Sequence, residues 1–526
     1  MDINKKDTQP FDEAMTLQSV ALGPTWTPTE EKALVRKIDI HIFPIMIILF
    51  ILNFIDRNNF ANARLRGLEE DLELTDVEYQ TCISILLVGY VSMQIPSNMI
   101  LNKLTRPSWY LCGCVIVWGV ISSLTALAHN ATGAILCRFF LGCVEASFFP
   151  GSIYFLSRWY TRKEMQLRVT ILNLGNLAAQ GFGGLIAAGI LANMEDSAGI
   201  RAWRWLFIIE GAITVFFGIA ALFILPDYPN STSWISEREK EIAQGRLAVD
   251  IGVSEDTEDI SAFQGLKMAL TDVKVWLLGI TYHATIMGLS FVFFFPTITQ
   301  ALGYSTTTTL LLTAPPWMWA CLVSLPNAWH ADKTGERFFH YFGPAALCII
   351  GYIISMTTTT IGPRYFSMFL MTTGFASGFV MLAWISNTIP RPAAKKAAAI
   401  ALVNAMGNVG SIPGSYIWPA KFGPLYIQSF GAEIGILGLA CCSAFMLRTY
   451  LKRLNGKLDA EETTAGTVTG GELAGKMAED SGLGLGGADN KTFRLVLIVI
   501  LAVGLDRKPR GRRHLDRSES RLKLEN

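Results

Sequence analysis

Charge is what this 526-residue chain has least of. Asp, Glu, Lys and Arg make up 17% of it and 51% is hydrophobic, whereas a globular domain carries ~25% charged residues. An ordinary soluble domain is thereby excluded. A basic excess is missing as well: 44 basic residues face 43 acidic ones, which leaves no concentrated basic face for a nucleic acid. The six histidines, at 41, 129, 283, 330, 340 and 514, are scattered, and none of the nine cysteines falls at a metal or disulfide spacing. No cofactor and no metal are therefore expected. An integral membrane enzyme, which would need such clusters near one interface, is the least supported class. The cysteines fall in apolar stretches, where they pack as small hydrophobes. Residues 1–38 lack the apolar core of a cleavable signal peptide, so the first span is expected to serve as its own targeting signal.

What the chain has instead is long apolar runs. A membrane-spanning helix takes ~20 mostly apolar residues, and twelve candidates meet that: 40–62, 79–101, 108–128, 132–156, 167–192, 204–225, 274–299, 309–329, 341–360, 364–388, 397–419 and 426–448. The expected fold class is an all-α membrane protein of twelve transmembrane helices in two pseudo-symmetric six-helix halves. Residues 1–38 form an N-terminal segment, 39–225 the first half, 226–272 a hydrophilic linker, 273–450 the second half and 451–526 a disordered, Gly/Ala/Thr-rich tail. Thr27-Pro28-Thr29-Glu30 has capping-box spacing, so a short helix should lead into the first span. The loops on the side of the termini carry eleven Lys/Arg and the opposite loops six. That bias places both termini in the cytoplasm of a multi-pass protein, here expected in the plasma membrane.

The stretch that organises the chain is Leu136–Gly151, an apolar run carrying Arg138 and Glu145. A charge within a bilayer costs at least ~2.5–3.5 kcal/mol, so such residues face a cavity or a partner. Seven residues apart, the two return to one helix face about two turns, or ~10 Å, from each other. Near the outer end of span 1, Asn53-Phe-Ile-Asp56-Arg57-Asn58-Asn59 adds a second acid and a second arginine, and its depth overlaps that of Arg138. The alternative is that Asp56 and Arg57 sit at the interface and pair with Arg64 or the Glu69 cluster. Asn173-Leu-Gly-Asn176 in span 5 recurs with one insertion as Asn404-Ala-Met-Gly-Asn408 in span 11. Such a six-plus-six repeat suggests a transporter whose halves rock about a midplane site.

The combination of Asp56-Arg57, Arg138-x3-Gly142-x2-Glu145-Ala146-x3-Pro150-Gly151, Trp203-Arg204-Trp205-x4-Glu210-Gly211 and Leu225-Pro226-Asp227 resembles the anion:cation symporter branch of the major facilitator superfamily. Within that branch it is most similar to the fungal allantoate permease group, which includes nicotinate and other organic-anion permeases. The resemblance covers residues 30–450. It implies a secondary transporter that imports a small organic anion with protons. Asp56 and Glu145 would couple protons, and Arg57 and Arg138 would bind substrate or hold the charge network. A guanidinium suits that task because its planar fork matches a carboxylate. If the anion occupies the arginine, Glu145 loses its counter-charge and takes up a proton.

Glu210 is either a further proton-linked acid or a partner of Arg204. His283 in span 7 either lines the substrate site or packs through a hydrogen bond. Asn176 and Asn408 either join helices or touch substrate. Trp317, Trp319 and Trp384 are candidate aromatic walls. Ala331-Asp332-Lys333-Thr334-Gly335-Glu336-Arg337 resembles the superfamily's loop motif, with Asp332, Gly335 and Arg337 as gating residues. The matching loop after span 2, Asn102-Lys103-Leu104-Thr105-Arg106-Pro107, lacks the aspartate. The further arginine that some relatives carry in span 7 is missing too, which points to a monocarboxylate, nicotinate- or allantoate-like. Export of an acidic metabolite and nutrient sensing without transport are the rival functions. The partners expected are the organic anion, protons and the lipid bilayer, and a monomer is the expected state because each chain encloses its own pathway.

Overall fold

The computed structural model describes residues 26–466 apart from 102–103, 105, 230–231, 233, 253–260 and 390–391. Asn102, Lys103 and Thr105 of the first loop motif, and the tail beyond 466, lie outside the described residues. Apart from one isolated bridge between Ser197 and Ile200, the described residues are helices and connecting turns.

Among the described residues, eleven helices are long and apolar enough to cross a bilayer: Pro28–Arg64, Asp76–Leu101, Pro107–Thr125, Ala131–Ser157, Leu167–Asn193, Ala202–Ile224, Val273–Gln300, Thr306–Thr334, Phe338–Thr357, Ile361–Thr388 and Ile427–Lys457. The twelfth expected span is present as Ala393–Gly414. Its Ala- and Gly-rich sequence makes it less apolar than the rest, and it lies against spans 7 and 2. The capping box at Thr27 forms, with Glu30 returning to the Thr27 N–H at 2.7 Å, but the helix it starts runs unbroken into span 1. Span 12 likewise continues as helix to Gly466, beyond the expected end at 450.

The packing repeats from one half to the other. Spans 1 and 5, 2 and 4, 3 and 6 pack together in the first half; spans 7 and 11, 8 and 10, 9 and 12 do so in the second. The halves meet through spans 5 and 8 and through spans 2 and 11, pairs that the same pseudo-two-fold exchanges. The asparagine repeat belongs to this device. A Cβ at Gly175 would come 3.3 Å from the Phe50 ring, and one at Gly407 would come 2.2 Å from the Tyr282 ring. The glycine before each asparagine therefore seats span 5 on span 1 and span 11 on span 7.

Two ends of the bundle differ. At the end away from the termini, one buried cluster draws on both halves, from Phe60, Tyr79 and Trp203 to Phe294, Trp317 and Trp418. Toward the terminal end the core divides into one cluster per half. The halves are thus joined at the far end and separate at the terminal end. The linker is not shapeless: helix Glu237–Gly252 docks on the first half through Lys37–Glu239 at 2.8 Å and Arg246–Glu164 at 2.9 Å, and Ala262–Leu270 packs on span 11. Asp272, just before span 7, bonds Lys395 at 2.8 Å. Burial favours its neutral form, but the Lys274 charge and the Lys395 bond prevail and hold this carboxyl below its ordinary range.

Spans 2 and 4 approach closely enough to matter for the site. A Cβ at Gly142 would lie 1.9 Å from the Leu86 carbonyl oxygen, and one at Gly89 would lie 2.4 Å from that of Phe139. Backbone contact of this kind needs glycine. Gly142→Ala is expected to destabilise the protein by about 1–3 kcal/mol through overpacking, read as a lower melting temperature of the purified protein in detergent. Gly113→Ala, whose Cβ meets nothing within 4 Å, is the control that should leave the melting temperature unchanged.

Candidate functional site

Span 4 breaks immediately after Glu145. The helix runs Ala131–Glu145 and resumes as Phe148–Ser157. Pro150 lacks the N–H that would bond the Ala146 carbonyl, so the break follows from the sequence. Glu145 is fully buried, and its Oε2 accepts from Arg57 Nε at 2.5 Å. Its Oε1 has no hydrogen-bond partner, although the Asn53 amide faces it. The Arg57 side chain keeps 16% exposure, and its guanidinium lies 4.5 Å from the Tyr90 ring centre and 5.2 Å from that of Phe54. Arg57 is therefore a cation held by an acid and two rings, with part of its surface free.

Arg138 is placed differently. It is 3% exposed, donates from Nε to the Cys82 carbonyl at 3.3 Å and from Nη2 to the Arg57 carbonyl at 3.0 Å, and lies over Phe60. Its Nη1 has no partner. Spans 1 and 2 are tied to span 4 through this one guanidinium, and the backbone it holds in span 1 is that of Arg57. The spacing places Arg138 and Glu145 two turns apart on one helix face, and the fold keeps them there; the arginine that bonds the acid comes from span 1.

Asp56, next to Arg57, turns the other way. Adjacent helical residues point ~100° apart, and Asp56 is buried between spans 3 and 6, accepting from Ser122 Oγ at 2.9 Å and Thr214 Oγ1 at 2.9 Å. It does not meet Arg64, which bonds Glu69 at 2.8 Å. Glu210 is also buried and faces Asp56 and Asn59; neither of its oxygens has a hydrogen-bond partner. Arg204 instead donates to the Ala126 carbonyl and covers the Trp203 ring. Asp56 thus lies between the other two acids, near Glu145 on one side and Glu210 on the other.

The second half contributes less directly. His283 Nδ1 lies 2.8 Å from the Met406 carbonyl, joining spans 7 and 11. Asn408 donates to the Asn404 carbonyl of its own helix at 3.0 Å. Asn176 is half-buried on span 5. Trp317 packs against Phe291, Phe295 and Phe375 and, with Asn58, Asn62, Gln180 and Thr313, lines a crevice between the halves. The other two tryptophans are not walls: Trp384 is fully buried in the second half's core against Tyr341, and Trp319 is 44% exposed. Each stands on a helix face that the span's own apolar pattern did not distinguish.

At the end of span 8, Asp332 and Arg337 pair at 2.6 Å. Gly335 caps the helix at φ +68°, a conformation that favours glycine. In the sequence, Asn53 and Asn59 have no role beyond the span 1 motif that contains them, and Tyr90, Ser122 and Thr214 are not singled out. Asn53, Asp56 and Asn59 recur every third residue on the buried face of span 1, a signal that was available; Tyr90, Ser122 and Thr214 carry none. Among the described residues no group of three or more His, Cys, Asp or Glu is arranged to hold a metal ion.

The comparisons with known proteins agree with this architecture. The family model of the Major Facilitator Superfamily matches residues 46–415. The MFS-type transporter cnsO of Penicillium expansum is 33% identical over 86% of this chain and 90% of its own length. An Agrobacterium vitis protein named for tartrate transport is 31% identical over 73% of this chain and 87% of its own. Among solved structures, a bacterial homologue of the lysosomal transporter Spinster has a TM-score of 0.62 at 15% identity, covering 81% of this chain and 99% of that one. A D-xylose-proton symporter has 0.57 at 15%, over 77% and 97%; both likenesses concern the fold. A twelve-helix bundle in two halves, with charged side chains meeting inside it, belongs here to the Major Facilitator Superfamily, and the chain is a multi-pass membrane transporter, not an enzyme.

Proposed function

We propose that this transporter imports a small organic anion, a monocarboxylate, together with protons, as the resemblance to the anion:cation symporter branch implies. The observation that carries the reading is the Arg57–Glu145 pair: a partly exposed guanidinium held at 2.5 Å by a fully buried carboxylate. An incoming carboxylate competes with Glu145 for the fork of Arg57, which binds such groups through charge-assisted hydrogen bonds. Once displaced, Glu145 is an acid without a counter-charge in a dry site, and the stable outcome is uptake of a proton. Anion and proton then favour each other's binding, which is linkage in its simplest form. Asp56 and Glu210, buried behind Arg57, extend the protonatable path, and Arg138 holds the span 1 backbone from which Arg57 reaches.

With both termini in the cytoplasm of a plasma-membrane protein, the joined far end is the external gate and the separate ends open inward. Asp332, Gly335 and Arg337 then sit at the internal gate. His283 and Asn408, bonded to backbone, shape the second half's face, while Asn176 stays available to a substrate. The Agrobacterium protein named for tartrate supports a carboxylate class in general; tartrate has two carboxylates, and the narrower choice of a monocarboxylate rests on the missing span 7 arginine.

The test is uptake of a panel of labelled organic anions by transporter-deficient yeast expressing this chain, at acidic and neutral external pH, with and without a protonophore. Accumulation of one anion at acidic pH that collapses with protonophore is the expected result. No uptake of any anion despite surface expression would overturn import and favour efflux.

A further inference from the structure

The second half also contains a buried acid, on the helix that corresponds to the one carrying Glu210. Glu433 lies near the far end of span 12, fully buried. We propose that Glu433 is a second proton-binding site, distinct from Glu145 and its neighbours, which holds a proton while the far end is closed and gives it up when that end opens.

The hydrogen-bond geometry argues for a neutral acid. Ser290 Oγ lies 2.6 Å from Glu433 Oε1 and 2.9 Å from the Gly414 carbonyl. The serine has one proton for two oxygens. If it donates to Gly414, the shorter contact is completed by a proton on Glu433 Oε1 donating to the serine. The indole Nε1–H of Trp418 lies 3.3 Å from Ser290 Oγ and 3.2 Å from Glu433 Oε1, which completes the set. Glu433 Oε2 has no partner, tolerable for a neutral carboxyl and costly for a carboxylate. The titratable groups facing it are Cys348 and Tyr352 of span 9, and Tyr352 gives its own proton to the Gly288 carbonyl at 2.8 Å. Among the described residues no Arg, Lys or His is among the groups acting on it.

Trp418 ties this acid to the gate. Its ring stacks on Phe294 with centroids 6.0 Å apart, and Phe294 meets Tyr79 of span 2 at 6.0 Å, across the boundary between the halves. On either side of Trp418, the Tyr416 hydroxyl lies 3.0 Å from Thr81 Oγ1, and the Ala420 N–H donates to Asp76 at 2.7 Å. Opening the far end parts these contacts and admits water to the indole and to the acid behind it. A proton held tightly only in the closed state favours closure at low pH, and that preference fades as pH rises. Such a proton enters and leaves from the far side and does not cross the membrane.

The test uses the purified full chain in lipid nanodiscs without substrate. Dyes are attached through unnatural amino acids at Glu73 and Lys421, exposed far-end positions in opposite halves, and energy transfer is followed from about pH 5 to pH 8. In the parent the distance should lengthen with rising pH. Glu433→Gln, which stays neutral and keeps an amide donor for Ser290, should hold the short distance at every pH and remove one protonated-carboxyl band from the infrared spectrum. Glu70→Gln, which removes an exposed far-end acid, should behave as the parent, which separates the buried site from surface titration. A parent distance independent of pH, or a Glu433→Gln variant with the parent's pH response, would overturn the proposal. If Glu433→Gln does not fold, Ser290→Ala takes its place: loss of the acceptor should move the midpoint to lower pH, and an unmoved midpoint counts against the site.

Discussion

Arg57→Ala is expected to reduce anion uptake at low substrate concentration by one to two orders of magnitude per transporter at the cell surface. A loss of stability accompanies it, because buried Glu145 is left without its partner. The side chain supplies the one partly exposed guanidinium of the charge cluster, bonded to Glu145 at 2.5 Å and braced by Tyr90 and Phe54. A hydrogen bond to a charged group is worth about 1.5–3 kcal/mol, which corresponds to a ~10–150-fold loss of affinity. Lysine should not rescue it, because a point charge on a flexible stem lacks the two-pronged geometry and reaches Glu145 differently. The measurement is initial uptake across a substrate series, set against surface expression. Arg57→Ala transporting at the parent rate would remove this arginine from the site. Arg138 gives a useful contrast. Its bonds go to the Cys82 and Arg57 carbonyls, so the loss from Arg138→Ala comes through the position of span 1 and should be accompanied by lower thermal stability.

Glu145→Gln should abolish uphill accumulation driven by a proton gradient and leave counterflow exchange. Glutamine can still accept from Arg57 Nε, which limits the structural penalty; removing one member of a buried pair outright costs about 3–5 kcal/mol. It cannot take up a proton when the anion displaces it. Anion binding in the variant should therefore lose its dependence on pH, because the step that bound a proton no longer exists. Accumulation and exchange are compared in the same vesicles, with inward acid gradients in one arm and preloaded substrate in the other. Loss of both modes together, in correctly inserted protein, would assign Glu145 to holding Arg57 in place and move the coupling proton to Asp56 or Glu210.

Much of this architecture was legible from composition and pattern. Apolar length gives all twelve spans; among the described residues eleven of the observed helices are clearly apolar enough to cross a bilayer, and Ala393–Gly414 is poorer in large apolar residues. The charges that matter stood out because they interrupt apolar runs, and Pro150 marked the break beside Glu145. Glu433 satisfies the same rule in span 12, where no neighbouring motif accompanies it. The asparagine repeat pointed to two related halves, and the glycine inside it supplies the packing that relates them.

Which side chain meets which was decided by the tertiary structure. Arg138 and Glu145 share a helix face but stand ~10 Å apart along it, so neither can satisfy the other. The gap is closed by a residue from span 1, whose rotation and depth are set by its contacts with spans 5 and 6. That rotation also separates neighbours in the chain: Arg57 turns toward Glu145, and Asp56 turns into the serine and threonine of spans 3 and 6. The closed end is equally a property of the assembled halves, since the apolar faces that join there have counterparts of similar composition at the end where they stay apart. A sequence sets how many helices there are and what each carries; the direction in which a charge points depends on the helices around it, because only packing fixes the rotation of a helix about its own axis.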